Sequence, residues 1–196
     1  MMQVALFDVD GVLAIGEPWS VRLARDYGIT AEHTNDFFTG PFIQCVRGWA
    51  DLRAELPPYL AQWGWPSTVD DFVGEWLGHE HVLNEPLLDR VVALRTAGTP
   101  CYLATVQERY RAAYIREAMG LGARTDGMFV SCENGYLKHE PGFWDAVLSA
   151  LPGISPREVI FFDDSAGNVE AASRAGLNAH LYVSVADLDA VMAQER

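Results

Sequence analysis

Short apolar runs recur along the chain and are separated by segments with a helical pattern of apolar positions. Apolar runs that lack polar alternation are typical of strands buried on both faces of a sheet. These runs occupy residues 4–7, 101–104, 128–130, 159–162 and 179–183. The helical segments that follow the later runs, each closed by glycine or proline, occupy residues 87–97, 108–119, 143–151 and 168–175. This alternation predicts an α/β fold with a mostly parallel sheet covered by helices.

A long segment interrupts the alternation between the first strand and the next strand–helix unit. A structureless loop of this length is improbable in a compact domain. Four helical patterns fall within it, at residues 21–27, 31–38, 50–63 and 68–77. The sequence therefore predicts a core made of residues 1–15 and 86–196, and a small helical domain of residues 16–85 inserted after the first strand.

The charge balance narrows the range of partners. Fourteen Lys and Arg residues stand against 27 Asp and Glu residues in 196, which gives a net charge of −13. This argues against nucleic acid or an anionic membrane surface as the main partner. No apolar stretch is long enough for a membrane helix, and the first residues lack the features of a signal peptide, so we expect a cytoplasmic protein. The scattered Cys45, Cys101 and Cys132 predict buried thiols rather than disulfides or a zinc site.

Acidic residues follow two of the predicted strands. Asp8 and Asp10 come after the first strand, and Asp163 and Asp164 come after the fourth. In open parallel sheets, ligands bind at the carboxyl ends of the strands. Four carboxylates at one edge are unfavourable unless a cation neutralises them, and an all-oxygen site suits Mg²⁺. The sequence therefore predicts a magnesium site at this edge of the sheet.

Four short motifs occur in a fixed order along the chain. They are Asp8-Val9-Asp10-Gly11, Thr105 after Leu103-Ala104, Lys138 before His139-Glu140-Pro141, and Asp163-Asp164 with Asn168. Through these motifs, the sequence resembles the haloacid dehalogenase-like (HAD) hydrolase superfamily, most of whose members are Mg²⁺-dependent phosphatases that work through an aspartyl-phosphate. The resemblance implies a Rossmann-like core, and it places the inserted helical domain where the C1 cap of that superfamily lies.

The resemblance also implies roles for the first motif. Asp8 would be the nucleophile that attacks phosphorus, with one carboxylate oxygen on Mg²⁺. Asp10 would protonate the leaving oxygen and then deprotonate the hydrolytic water, and its backbone carbonyl would also bind the metal. A halide needs no proton to leave, whereas an alkoxide does, so Asp10 favours phosphoryl transfer over dehalogenation.

The remaining motifs complete the implied site. Thr105 would donate a hydrogen bond to a phosphoryl oxygen, and Lys138 would offset the charge of the phosphate and of the nucleophile. Asp164 would bind the metal, Asp163 would bind it directly or through water, and Asn168 would orient the ligands. The expected partner is a small phosphorylated metabolite, and the protein is expected to be a monomer or a homodimer.

The inserted domain gives a hint about the substrate. Phe37-Phe38-Thr39-Gly40 and Arg47-Gly48 are similar to segments in the caps of bacterial sugar-1-phosphate phosphatases, which implies a sugar phosphate as one candidate. Arg47 is either a ligand for a phosphate or sugar hydroxyl, or a solvated side chain. The tryptophans of this segment are expected mainly to fill its core, with stacking on a sugar as the alternative.

Three other functions are compatible with the motifs. A phosphomutase keeps the same residues but returns the phosphoryl group to a substrate. A 2-haloacid dehalogenase and a non-catalytic binding module are less favoured, because Asp10 and the complete set of motifs are retained.

Overall fold

A single parallel sheet forms the centre of the computed structural model, which describes residues 3–194. Its strands are β1 (Val4–Phe7), β2 (Cys101–Thr105), β3 (Gly127–Val130), β4 (Val159–Asp163) and β5 (Asn178–Leu181). Their order across the sheet is β3-β2-β1-β4-β5, and every neighbouring pair is parallel. The predicted α/β class is confirmed. Because β1 lies between β2 and β4, the residues that follow these three strands are neighbours in space.

Helices fill the connections between the strands. Those inserted between β1 and β2 are α1 (Trp19–Tyr27), α2 (Ala31–Phe38), α3 (Pro41–Val46), α4 (Leu52–Trp63) and α5 (Val69–His79). The others are α6 (Glu85–Thr96), α7 (Arg109–Arg116), α8 (Leu121–Arg124), α9 (Ser131–Asn134), α10 (Pro141–Ser149), α11 (Ala166–Arg174) and α12 (Val185–Gln194). Among the described residues, no helix is both long and apolar enough to cross a bilayer.

The two faces of the sheet belong to separate apolar clusters. Side chains alternate along a strand, so Phe7 and Phe162 stack on one face, with ring centroids 5.6 Å apart. On the other face, Trp144 of α10 packs against Phe161 at 4.8 Å. These apolar layers fix the strands in register and so fix the positions of the polar residues at their carboxyl ends.

The inserted helices have an apolar core of their own, as the tryptophan-rich sequence predicts. Trp19, Trp63 and Trp65 are buried in it, and Trp76 packs against it. Trp49 differs, because its side chain remains 66% exposed. Core filling therefore accounts for most of the tryptophans in the insertion.

Two paired linkers join the insertion to the core. Ala14 forms an antiparallel bridge with Leu83, and the backbone N–H of Ile15 donates to the carbonyl of Val82 at 2.8 Å. The side chain of Asn84 also donates to the carbonyl of Val12 at 2.9 Å. This pairing holds the insertion next to the turn that follows β1. The residue limits given above for the core and for the inserted domain remain predictions.

The sequence pattern overlooked several short helices. Helices α3, α8 and α9 have four to six residues and are too short to show a helical period. Helix α12 buries Leu188 and Met192, which are four residues apart, and this spacing was an available signal. Strand β5 ends earlier than its apolar run because it lies at the sheet edge, where Val183 is 71% exposed.

Candidate active site

The ends of the three central strands open into one cavity of about 490 Å³. Asp8 follows β1, Thr105 ends β2, and Asp164 follows β4. Lys138 lies three residues before α10 and reaches the same cavity. Residues that are far apart in the sequence therefore meet where a parallel sheet is expected to bind its ligands.

Lys138 forms ion pairs with two carboxylates. Its Nζ lies 2.7 Å from Oδ2 of Asp8 and 2.6 Å from Oδ2 of Asp163. The three side chains are almost completely buried, with 3%, 9% and 0% exposure for Lys138, Asp8 and Asp163. The other Asp8 oxygen accepts the backbone N–H of Val9 at 2.7 Å. These contacts hold the Asp8 carboxylate in one orientation at the wall of the cavity.

Both carboxylate oxygens of Asp163 accept hydrogen bonds from neighbouring protein groups. Besides Lys138, Asp163 accepts the backbone N–H of Ser165 at 2.8 Å and two hydrogen bonds from the side-chain amide of Asn168 at 3.1 Å. Asp164, in contrast, is exposed and lines the cavity. The two adjacent acids therefore differ: Asp163 holds Lys138 and Asn168 through hydrogen bonds, whereas Asp164 faces the cavity.

Three carboxylates are close enough to share a cation. One oxygen each from Asp8, Asp163 and Asp164 lies within 4.8 Å of the others. Gly11 permits this approach, because its φ is +79° and a Cβ there would lie 2.0 Å from Oδ2 of Asp164. Lys138 supplies one positive charge against three negative ones. The donor set therefore fits a hard divalent cation such as Mg²⁺, which takes oxygen ligands.

The pKa shifts of the clustered side chains indicate that the three carboxylates have too little positive charge around them. Burial, reinforced by the charge of Asp163, raises the pKa of Asp8 to about 7 even though Lys138 opposes the shift. Burial and Asp163 likewise raise the pKa of Asp164. Burial disfavours the charged form of Lys138, but its two carboxylate partners outweigh this and raise its pKa. A bound divalent cation would favour the ionised carboxylates and remove the deficit.

The carboxylate of Asp10 lies in the same cavity but has different partners. Its Oδ1 accepts a hydrogen bond from Nη2 of Arg111 at 2.9 Å, and its Oδ2 accepts one from Nε2 of Gln107 at 2.7 Å. Gln107 Nε2 also donates to Oγ1 of Thr105 at 3.0 Å. Because this bond uses Thr105 as the acceptor, the threonine hydroxyl hydrogen remains available for a ligand in the cavity.

The sequence analysis missed three residues of this region. Gln107 and Arg111 follow β2, where the motif pattern singles out Thr105 alone, and Glu80 directly follows α5. Burial raises the pKa of Glu80, whose carboxylate lines the cavity and accepts the backbone N–H of Trp19 at 3.0 Å. A polar residue directly after a buried strand, and an arginine among apolar positions of α7, were the signals available.

Arg47 was predicted to be either a ligand for a phosphate or sugar hydroxyl, or a solvated side chain, and its contacts match neither. Its guanidinium makes two hydrogen bonds to Glu140, at 2.9 and 2.6 Å, and one to the carbonyl of Gly135 at 3.0 Å. It also stacks on Trp49 at 5.1 Å. Arg47 therefore links the insertion to the core outside the cavity, and it is neither a cavity residue nor a freely solvated side chain.

The parallel sheet, the helices inserted after its first strand and the three carboxylates at the strand ends define an α/β protein with a candidate metal site. Residues 2–176 match the model of the haloacid dehalogenase-like hydrolase family, and the chain belongs to that family. Membership in the superfamily, predicted from the four motifs, is confirmed.

Curated relatives carry different activities. Mouse bifunctional epoxide hydrolase 2 is 26% identical over 90% of this chain and 35% of its own length. The GMP/IMP nucleotidase YrfG of Escherichia coli is 30% identical over 57% of this chain and 50% of its own length. The chain thus spans about a third of the epoxide hydrolase and half of the nucleotidase.

Solved structures share the whole fold. The HAD family enzyme BT-2542 from Bacteroides thetaiotaomicron has a TM-score of 0.81 at 19% identity, over 97% of this chain and 98% of that one. In its complex with magnesium and inorganic phosphate, the TM-score is 0.78 at 20% identity, over 94% and 96% of the two chains. At these identities, the likeness shows the shared fold.

Proposed function

We propose that the protein is a Mg²⁺-dependent phosphatase that hydrolyses a small phosphomonoester through a phosphoryl group carried on Asp8. The observation that carries this proposal is the placement of Asp8. Its carboxylate lies 2.7 Å from Lys138, can share a cation with Asp164, and faces a cavity that also presents Thr105 and Asp10. BT-2542, which shares the fold, forms a complex with magnesium and inorganic phosphate, and this supports a site for both ligands in the proposal.

Asp8 and Asp164 would hold the metal through their carboxylates, together with the backbone carbonyl of Asp10. Asp163 acts through water and by holding Lys138, because its own oxygens already accept hydrogen bonds from protein groups. When bound, Mg²⁺ neutralises charge on the phosphoryl oxygens and orients the group for in-line attack.

In the first step, a carboxylate oxygen of Asp8 attacks phosphorus, and the bond to the leaving oxygen breaks. Asp10 donates a proton to that oxygen, so the product leaves as an alcohol. In the second step, Asp10 takes a proton from water as the water attacks the phosphorus of the aspartyl-phosphate, which releases phosphate and restores Asp8. Thr105 and Lys138 stabilise the charge that develops on the phosphoryl oxygens.

The cavity favours a substrate with one phosphate and an uncharged remainder. Among the described residues that line it, Lys138 alone carries a positive charge, and Asp8 and the phosphoryl group already use that charge. A second phosphate or a carboxylate would meet the carboxylate of Glu80 in this lining and no second cation. Sugar monophosphates and nucleoside monophosphates meet this requirement, in keeping with the cap resemblance and the nucleotidase relative.

The proposal is tested by measuring phosphate release from a panel of sugar phosphates, nucleotides and phosphorylated acids, with Mg²⁺ and with excess chelator. We expect Mg²⁺-dependent turnover that prefers monophosphates with neutral leaving groups. Full activity in chelator would contradict the metal role. Product analysis separates the alternatives, because a phosphomutase transfers the phosphoryl group to a sugar phosphate, a dehalogenase releases halide from a haloacid, and a binding module does neither.

A further inference from the structure

A buried arginine lies directly behind the carboxylate of Asp10. The side chain of Arg111 is 4% exposed and extends from α7, with its Nη2 2.9 Å from Oδ1 of Asp10 and 3.6 Å from Oε2 of Glu80. Its Nη1 donates to the carbonyl of Leu77 at 3.4 Å. Its Nε has no hydrogen-bond partner among the described residues. Burial of a guanidinium is costly, and this one is incompletely compensated.

Gln107 holds the second oxygen of Asp10. Its side chain is 7% exposed, and its Nε2 donates to Oδ2 of Asp10 at 2.7 Å. Ser131 fixes the backbone of Gln107 on the far side, because the Ser131 hydroxyl accepts the Gln107 N–H at 3.0 Å and donates to its carbonyl at 3.3 Å. The amide is therefore supported by the core of the protein.

The hydrogen bonds from Arg111 and Gln107 leave the cavity side of the Asp10 carboxylate accessible. Both carboxylate oxygens are bound from the side of Arg111 and Gln107, yet the Asp10 side chain remains 52% exposed and lines the cavity. Each carboxylate oxygen has a second lone pair, so each can still exchange a proton with a group in the cavity. Efficient proton transfer requires this kind of fixed geometry between the acid and the leaving oxygen.

We propose that Arg111, together with Gln107, is a positioning residue that orients the Asp10 carboxylate toward the leaving oxygen of the substrate. The inference rests on the proposed phosphatase function and adds two residues to it. Neither residue is assigned a contact with the phosphoryl group or the metal. Both act through Asp10, so their effect depends on how much the leaving group needs a proton.

The test compares two esters in the full-length protein with Mg²⁺. An alkyl phosphate needs a proton on its leaving oxygen, whereas p-nitrophenyl phosphate releases a stable phenolate and needs little help. For Arg111→Met, we expect kcat/KM to fall about 10- to 100-fold on the alkyl ester and much less on the aryl ester. This ratio reports the step that expels the leaving group, whereas kcat also includes the hydrolysis of the aspartyl-phosphate, which both esters share. Arg111→Lys keeps the charge and should recover part of the loss. The matched control is Arg109→Met, which removes a 51% exposed arginine of the same helix that pairs with Asp51.

Gln107→Leu is an independent variant, because it leaves the ion pair between Arg111 and Asp10 in place. It therefore remains informative if Arg111→Met fails to fold. It should show the same unequal loss on the two esters. Equal losses of kcat/KM on both esters, or behaviour indistinguishable from that of Arg109→Met, would overturn the positioning role while leaving the phosphatase proposal intact. A wild-type protein that hydrolyses neither ester would instead overturn the proposed function, and this inference with it.

Discussion

The carboxylates in the two halves of the cavity have different partners. The inner half, around Asp8, Lys138, Asp163 and Asp164, is largely buried and has three carboxylates for one ammonium group. The outer half, around Asp10, lies partly in solvent, and a guanidinium and an amide already occupy both oxygens of its carboxylate. The inner half is therefore incomplete without a cation, whereas the outer half is assembled by protein groups alone.

We propose that this difference separates the tasks of the two aspartates. Asp8 lies where a metal, an ammonium group and a phosphoryl group can meet, which suits a nucleophile. Asp10 is held by Arg111 and Gln107 with its carboxylate open to the cavity, which suits a group that exchanges protons. Variants that affect only one half separate these tasks.

The largest effect is expected from Asp8→Asn. The substitution keeps the shape of the side chain but removes the nucleophilic carboxylate and one metal ligand, so turnover should fall to background on every phosphate ester. Circular dichroism and thermal unfolding check that the fold is retained. Substantial residual turnover by a folded variant would show that Asp8 is not the nucleophile.

A smaller loss, which depends on the leaving group, is expected from Asp10→Ala. Loss of a general acid–base group typically costs about 10²- to 10⁴-fold in rate. Single-turnover measurements should show that both formation and breakdown of the phosphoenzyme slow down for an alkyl phosphate. If only substrate affinity changed, Asp10 would be a binding residue and the two halves would not divide the chemistry as proposed.

Mg²⁺ should stabilise the protein more at about pH 8 than at about pH 6, because a proton on the carboxylates competes with the metal. Burial raises the pKa of Asp8 to about 7 in the folded protein, above the ordinary aspartate value of 3.8. Folding therefore takes up a proton at Asp8, and the metal-free protein loses stability as the pH rises from about 4 to about 7. The increase in Tm on adding Mg²⁺ measures this effect at each pH.

Asp8→Asn is the control for this pH dependence, since it removes the titrating group and should reduce the difference between the two pH values. An increase in Tm that is equal at both pH values, or larger in acid, would argue against a metal bound by the buried carboxylates.

The smallest effect is expected outside the cavity, at the contact between the insertion and the core. Arg47→Met breaks the paired hydrogen bonds to Glu140 and should lower the free energy of unfolding by about 1 kcal/mol, because the ion pair is partly exposed. Chemical denaturation measures the change. The exposed pair of Arg174 and Glu170 offers a control, and Arg174→Met should have less effect. A large loss of turnover in Arg47→Met would instead connect this contact with catalysis.

The sequence was informative for the motif residues that lie at strand ends. Buried strands produce clear apolar runs, so the sequence alone places Asp8, Thr105 and Asp164 at one edge of a parallel sheet. Motif order then added Lys138. The structure brings all four residues to one cavity.

Contacts between distant segments could not be read in the same way. Arg111 lies 101 residues from Asp10, and Arg47 lies 93 residues from Glu140. No local period or turn signal specifies which of many charged residues will meet across an interface. The sequence also indicated two adjacent acids after β4 without showing that Asp163 is enclosed by Asn168 and Lys138.

The central claim, that Asp8 carries the phosphoryl group, is tested most directly by trapping the phosphoenzyme. Asp10→Ala is mixed with p-nitrophenyl phosphate and Mg²⁺, quenched in acid and mapped by mass spectrometry of its peptides. The account predicts one added phosphoryl group on Asp8, which disappears when the metal is chelated. Hydrolysis by the wild-type protein with no phosphoryl group on Asp8, or with the group on another residue, would contradict it.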